Sequence, residues 1–324
     1  MERRKVQKTG GSTYTVSLPK IWAEERLAFG DHVSIEKKDN YLKLFSDTQN
    51  DDEQRTSISF NEDTETLFRK TVSLYLSGYD HINIVSSDEM DSNELEAKVK
   101  DNMVGLEVVR SSGSRIELKN LVRYEDLPFQ KVLVRIDSLL QSIMDEITES
   151  LEEEETDGLV PSVEDKEQEV DKMYMLGVRQ LKHASVNPEA LEKLEIESES
   201  ECVSLRVVLK SLERIGDHLR TISREIDKAD EVPDSYISYI RGVKTCYRTS
   251  LDALRKKDPE KAESAIQKSR STPDIPRDTL ETEELLSFRQ LENSIQRVKL
   301  LSDDVAEVVM NITIEEREEN NFFS

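Results

Sequence analysis

"LRVVLKSLERIGDHLRTISREI", Leu205 to Ile226, is the stretch on which the architecture turns. Leu205, Leu212, Leu219 and Ile226 stand seven apart, and Val208, Ile215 and Ile222 each follow three residues later. That alternation of three and four is the seam of an amphipathic helix packed on other helices. Between the seam positions run Arg, Lys, Glu and Asp, which suit a solvated outer face.

The same period extends to both sides. Phe129, Val132, Ile136, Leu139, Leu140, Ile143, Ile147 and Leu151 trace a stripe that "EEEETDG" closes, and a second helix is expected from about Ser162 to His183. Pro233 opens another set: a helix with Tyr236, Ile240, Val243, Tyr247 and Leu254, a shorter one starting at Asp258-Pro259, and a long last one from about Thr282. A shift of 86 residues lays Leu205 on Leu291, Leu212 on Val298, Ile215 on Leu301, Leu219 on Val305, Ile222 on Val308 and Ile226 on Ile312. Two helical triplets of similar form are expected.

Composition agrees with helices of one apolar stripe: 36% hydrophobic, 35% charged, and only 10 Gly and 8 Pro in 324 residues. The formal charge is −23, with +4 in the first twenty residues and −27 on the remainder. Contact with nucleic acid is thereby confined to a small basic surface. An acid excess spread along the whole chain fits a salt-loving cytoplasm as well as an acidic functional surface. Cys202 and Cys246 are isolated, so neither a disulfide framework nor a thiolate metal motif is expected. Without a leader-like or membrane-length apolar run, the chain reads as a soluble, cytoplasmic protein without membrane insertion.

Two carboxylate pairs stand one helical turn apart, Glu167 with Asp171 and Glu213 with Asp217. Like charges at that spacing repel, and a cation between facing helices would relieve them while gaining oxygen ligands. With 68 acids in the chain, such pairs also arise by chance as solvated acids. On a helical wheel Glu213 and Asp217 lie off the leucine seam beside Arg206, Arg220 and Arg224, and Glu167 and Asp171 flank their own stripe. A metal would therefore sit on the bundle surface. His218 reads as a bundle-surface side chain.

With these residues in view, "VEDKEQEVDKM" and "LRVVLKSLERIGDHLRTI" resemble the PhoU family of phosphate-uptake regulators, here in a haloarchaeal type, over roughly residues 126 to 316. The resemblance implies a pair of three-helix bundles, 126–228 and 233–316, whose acidic motifs bind multinuclear metal clusters. It carries divalent or trivalent metal ions (Zn, Fe, Mn or Mg) to Glu167, Asp171, Glu213 and Asp217. The second bundle departs from the motif: Lys299 falls where Glu213 sits, Asp303 matches Asp217, and Glu263 is followed at i+4 by Gln267.

Ahead of the bundles, residues 54–123 read as a small α/β domain of order βαβαββ, with strands at "SISF", "HINIVSS", "LEVVRS" and "RIELKNLV" and helices at "DTETLFRKTVSLYLSGYD" and "DSNELEAKVKDNM". It contains no glycine-rich phosphate loop, and His81 reads as a surface or core residue.

Residues 1–48 form four short elements: a strand at Ser12 to Leu18 after Gly10-Gly11, a helix in "KIWAEERL", and strands near Val33 to Glu36 and Tyr41 to Phe45. So short a segment cannot bury a stable core alone. Two copies interleaving their hairpins would complete it and set two basic strands side by side. The run "RRKVQKTGGSTYTVSLPKIWAEERLAFGDHVSIE" resembles the AbrB/MazE/SpoVT swapped-hairpin domain through its basic start, Leu18-Pro19-Lys20, short helix and Leu27-x-x-Gly30-Asp31. The resemblance implies a homodimer or higher oligomer whose Arg3, Arg4, Lys5 and Lys8 contact DNA, flanked by Ser12, Thr13 and Lys20. The phosphate part of such binding weakens with salt, which leaves more to DNA shape.

The fold class expected is therefore multidomain and mainly α: a swapped-hairpin β domain, a small α/β middle domain, and a PhoU-like pair of three-helix bundles. The function expected is DNA-binding transcriptional regulation of phosphate uptake, negative in sign, with a phosphate ABC transporter or signalling protein as a further partner. Two other readings stand beside it: a metal-binding accessory protein of such a transporter that uses the first domain only to dimerise, and a carboxylate-metal hydrolase or oxidase. The last lacks a Glu-x-x-His pair or a histidine–acid constellation to supply a base, so no enzymatic activity is expected.

Overall fold

The computed structural model describes residues 2–37, 40–46, 53–61, 63–87, 92–124, 126–272 and 288–322, with the side chains of residue 36 and of 315–322 left aside. The chain divides into two units, Met1–Glu53 and Gln54–Ser324.

In the first unit β1 (Gln7–Thr9) and β2 (Thr13–Thr15) form an antiparallel hairpin, α1 spans Lys20–Arg26, and β3 (Val33–Lys37) pairs with β4 (Leu42–Ser46). The pairing around Gly10-Gly11 adds β1, which lies in the basic run and which residue periodicity did not reveal, and the strand expected at Ser12–Leu18 shortens to three residues. Gly10 turns the hairpin with φ +68, a left-handed conformation that favours glycine. No described residue of this unit is buried. Ile21, Val6, Tyr14 and Ile35 are all at least 60% exposed.

The second unit opens with the α/β layer: β5 (Arg55–Ser59), α2 (Thr64–Leu76), β6 (His81–Val85), α3 (Ser92–Asn102), β7 (Leu106–Ser112) and β8 (Arg115–Asn120). The sheet order is β5-β6-β8-β7, parallel between β5 and β6 and antiparallel elsewhere. Asp63 caps α2 by accepting a hydrogen bond from the Thr66 amide, 2.8 Å. The layer closes over Tyr75, Ile82, Ile84, Leu95, Leu106 and Leu118, and His81 is buried on β6.

The helical body follows: α4 (Phe129–Glu153), α5 (Leu159–Ala184), a short α6 (Pro188–Lys193), α7 (Glu199–Asp227), α8 (Asp234–Lys256), α9 (Pro259–Ser271) and α10 (Arg289–Phe322). Helix α6, capped by Asn187, is an addition to the expected triplet. The start expected near Thr282 lies outside the described residues. Helices α4, α5 and α7 form one bundle and α8, α9 and α10 the other, with α10 also packed along α7. Buried apolar residues of both bundles join in one continuous core. Gly177 on α5 permits close approach to α7, since a Cβ there would stand 2.8 Å from Leu209 Cδ1.

Candidate functional site

The acidic site is built on two facing helices. α5 carries Glu167 and Asp171 and α7 carries Glu213 and Asp217, each pair on one helical face. Gly216, beside Asp217, offers no side chain, and a Cβ there would lie 3.5 Å from Glu167 Cγ. The acids of α5 and α7 thus meet across a thin interface.

They differ in burial. The side chain of Glu167 is only 4% exposed and that of Glu213 15%, against 45% for Asp217. Glu167 lies deeper than the helical wheel places it, so the cluster occupies a cleft between two helices, with one member inside the bundle and one at the surface. Arg220 spans the cleft: its Nη1 donates to Glu167 Oε2 at 2.7 Å and its Nη2 to Asp217 Oδ1 at 2.8 Å. Lys210 donates to Glu213 Oε2 at 2.6 Å. Glu167 Oε1 is buried and accepts no hydrogen bond from the described residues.

Charge accumulates here. Burial first, and then the Asp171 charge, push Glu167 up to about 7 against the pull of Arg220. Burial followed by Glu213 and Asp217 push Asp171 up to about 6. Four carboxylates face two cations, and one buried oxygen is orphaned. Such a donor set suits a hard cation with oxygen ligands. Among the described residues no three acids, histidines or cysteines converge on one ligand point as they stand. Arg220 occupies the space between Glu167 and Asp217, so a cation would take its place. His218, half-buried, is held below its usual range chiefly by desolvation.

The second bundle answers with a different chemistry. Asp303 Oδ2 accepts from Ser269 Oγ at 2.6 Å, and Lys299 Nζ donates to the Thr272 carbonyl at 3.3 Å and lies 5.8 Å from the Tyr239 ring centroid. A lysine of the chain stands where the first bundle has Glu213.

The seven residues expected at DNA are all exposed. Arg3, Arg4 and Lys5 precede β1, Lys8 lies on it, Ser12 is in the turn, Thr13 starts β2 and Lys20 starts α1. Arg4 pairs with Glu2 at 2.6 Å and Lys20 with Glu24 at 3.6 Å. Lys8 opposes Tyr14 in register and its Nζ stands 5.9 Å from the ring centroid.

Residue patterns missed two buried polar sites. Asp137 interrupts the α4 stripe and accepts from Tyr247 Oη, Gln141 and Arg255 at 3.0, 2.9 and 3.2 Å. Arg179, 1% exposed, donates to the carbonyls of Tyr75, Tyr79 and Gly78 and to Asp80 Oδ1 at 2.5 to 3.2 Å. A charged residue inside an apolar helical stripe was the available signal for both.

The comparisons with known proteins bear on the first bundle. Residues 133–226 match the PhoU domain. The matched segment begins in α4, takes in α5 and α6, and ends one residue short of the end of α7, so all four acids of the cleft lie within the matched residues. The match suggests a regulator of phosphate homeostasis. No curated protein and no solved structure matches the chain. No helix among the described residues is long and apolar enough to cross a membrane.

Proposed function

We propose that this chain is a DNA-binding regulator of phosphate uptake, acting negatively on phosphate transport. It would bind DNA as a dimer through its first unit and sense or relay phosphate status through its PhoU domain. The observation that carries the reading is the pairing of a PhoU domain at 133–226 with a first unit in which no described residue is buried. A segment that exposes Val6, Tyr14, Ile21 and Ile35 gains stability when a second copy covers those side chains. Exchange of hairpins between two copies would do so and would double the cationic surface of Arg3, Arg4, Lys5, Lys8 and Lys20. Ser12 and Thr13 at the turn add hydroxyl donors suited to phosphate oxygens.

In the PhoU domain, Glu167, Asp171, Glu213 and Asp217 would hold divalent or trivalent cations, which supply positive charge to the cleft. The chain's own contribution is Arg220, which holds Glu167 and Asp217 together and would leave when a cation enters. The orphaned Glu167 Oε1 and the excess of carboxylates over cations support this.

The test is mobility-shift titration of the full-length chain on promoter fragments of phosphate-transport genes, with mass measured in parallel. A dimer is expected to bind. Arg3/Arg4/Lys5→Ala should weaken binding and flatten its salt dependence by about one unit of log–log slope for each phosphate that is no longer neutralised. A dimer with equal affinity in both forms at matched salt would reject DNA recognition and leave the first unit as a dimerisation module, as the accessory-protein reading requires. A monomer would reject the shared sheet itself.

A further inference from the structure

Between the two bundles lies a recess of about 330 Å³ whose lining includes none of the four acids of the cleft. Its floor is apolar: Leu133 and Val134 from α4, Leu205 from α7, Leu251 and Leu254 from α8, and Ile312 from α10. Its charged wall comes from the end of α8, where Arg255, Lys256 and Lys257 follow one another, and from Asp137, Glu195 and Glu201. Of the three non-glycine residues with left-handed backbone among the described ones, two are on this wall, Glu195 at φ 56 and Lys257 at φ 46. Both close a helix, Glu195 after α6 and Lys257 after α8, so the wall is made where two helices end.

The hydrogen bonds of the wall decide what could enter. Asp137 and Glu201 are 3% and 5% exposed, and their oxygens are already used. Asp137 takes Tyr247, Gln141 and Arg255, and Glu201 takes Lys257 at 3.0 Å and the Glu197 amide at 2.7 Å. Lys256 is paired with Asp252. Arg255 is different. Its side chain is half exposed, and among the described residues its one hydrogen bond runs from Nη1 to Asp137 Oδ2. A guanidinium has five N–H donors in a planar fork, so Arg255 has donors to spare, while every oxygen of the two buried carboxylates already has a partner. The unspent donors of Arg255 favour an accepting polar end, and an anion makes the stronger bond. The apolar floor requires a hydrocarbon body, and the volume is at the small end of ligand pockets.

We infer that the recess between the bundles is a binding site for a small amphipathic anion, a short acyl or alkyl chain ending in carboxylate or phosphate, with Arg255 on the anionic head and the leucines around the tail. The site is distinct from the acidic cleft of α5 and α7. It gives the helical body a second ligand class, and occupancy would bridge α4 and α7 of one bundle to α8 and α10 of the other.

Calorimetric titration of the full-length chain with octanoate, octyl phosphate, octanol and inorganic phosphate tests it. One or both of the octyl anions should bind saturably, and their ranking tells carboxylate from phosphate. Octanol should bind about tenfold or more weaker, the equivalent of one charge-assisted hydrogen bond, and inorganic phosphate should give no saturable heat here. Arg255→Gln should lower the anions to the level of octanol. Val134→Trp, at a lining position that is 51% exposed and so tolerant of bulk, should abolish all three while the melting curve stays that of the parent. Octanol binding as tightly as the anions, binding that survives Val134→Trp, or no saturable binding of either anion would overturn the inference.

Discussion

Glu167 sits where its own charge is unwelcome. An unfolded glutamate releases its proton near 4.5, whereas burial and Asp171 hold the folded group to about 7. Between those values the folded chain binds a proton that the unfolded chain has lost, so this group's share of stability falls as pH rises through the window. Asp171, raised to about 6, adds a loss of the same sign. Metal-free protein in chelator is therefore expected to lose on the order of 1–3 kcal/mol from this cluster between pH 5 and pH 8, read from urea midpoints. Glu167→Gln should flatten that dependence, with its gain over wild type appearing at pH 8 and not at pH 5. Saturating Mn²⁺ should flatten it in the wild type too if the cleft takes a cation. The residue types and their one-turn spacing were legible in the sequence. The burial of Glu167 was not, because a helical wheel describes one helix and Glu167 is covered by the other.

At the scale of the element, two glycines in facing helices make opposite predictions. Gly177 on α5 meets the buried Leu209 of α7, where an added Cβ would stand at 2.8 Å. Leu209 is packed on all sides and cannot rotate freely, so Gly177→Ala should cost about 1–3 kcal/mol by equilibrium unfolding. Gly216 on α7 leaves room, with the nearest side-chain atoms at 3.5 Å and beyond, so Gly216→Ala should be neutral or gain up to about 1 kcal/mol from helix propensity. A loss at Gly216 as large as at Gly177 would contradict this packing. Long helices were the easiest elements to read: the α4 stripe runs from Phe129 to Leu151, and the observed helix ends two residues later. Short ones were harder. Three residues of β1 offer no period to detect, and α6 depends on its Asn187 cap more than on any repeat.

For the whole molecule, Arg179 ties the α/β layer to the bundles. It lies on α5 and reaches the last turn of α2 and the residues after it, about a hundred positions earlier in the chain, and its guanidinium stands 4.9 Å from the Tyr75 ring centroid. The free carbonyls at a helix C-terminus favour a cation. Arg179→Met removes those donors and leaves buried carbonyls and Asp80 without them. A loss of about 2–4 kcal/mol is expected, with faster amide exchange concentrated in α2 and β6. Exchange that rises evenly through the helical body would instead mean that Arg179 supports the bundle alone.

Taken alone, the sequence settled what depends on near neighbours: the periods of α4, α5 and α7, the order of the α/β layer, the basic run at the start, and the run of residues that resembles a PhoU domain. Those features repeat within a few residues, so the chain displays them without being folded. Tertiary structure decided which acid is buried, that Arg220 bridges partners 53 positions apart, and that Arg255 reaches Asp137 across 118 positions to wall a recess between the bundles. Burial, charge coupling and cavities arise from surfaces that meet only after folding, and no local period encodes them.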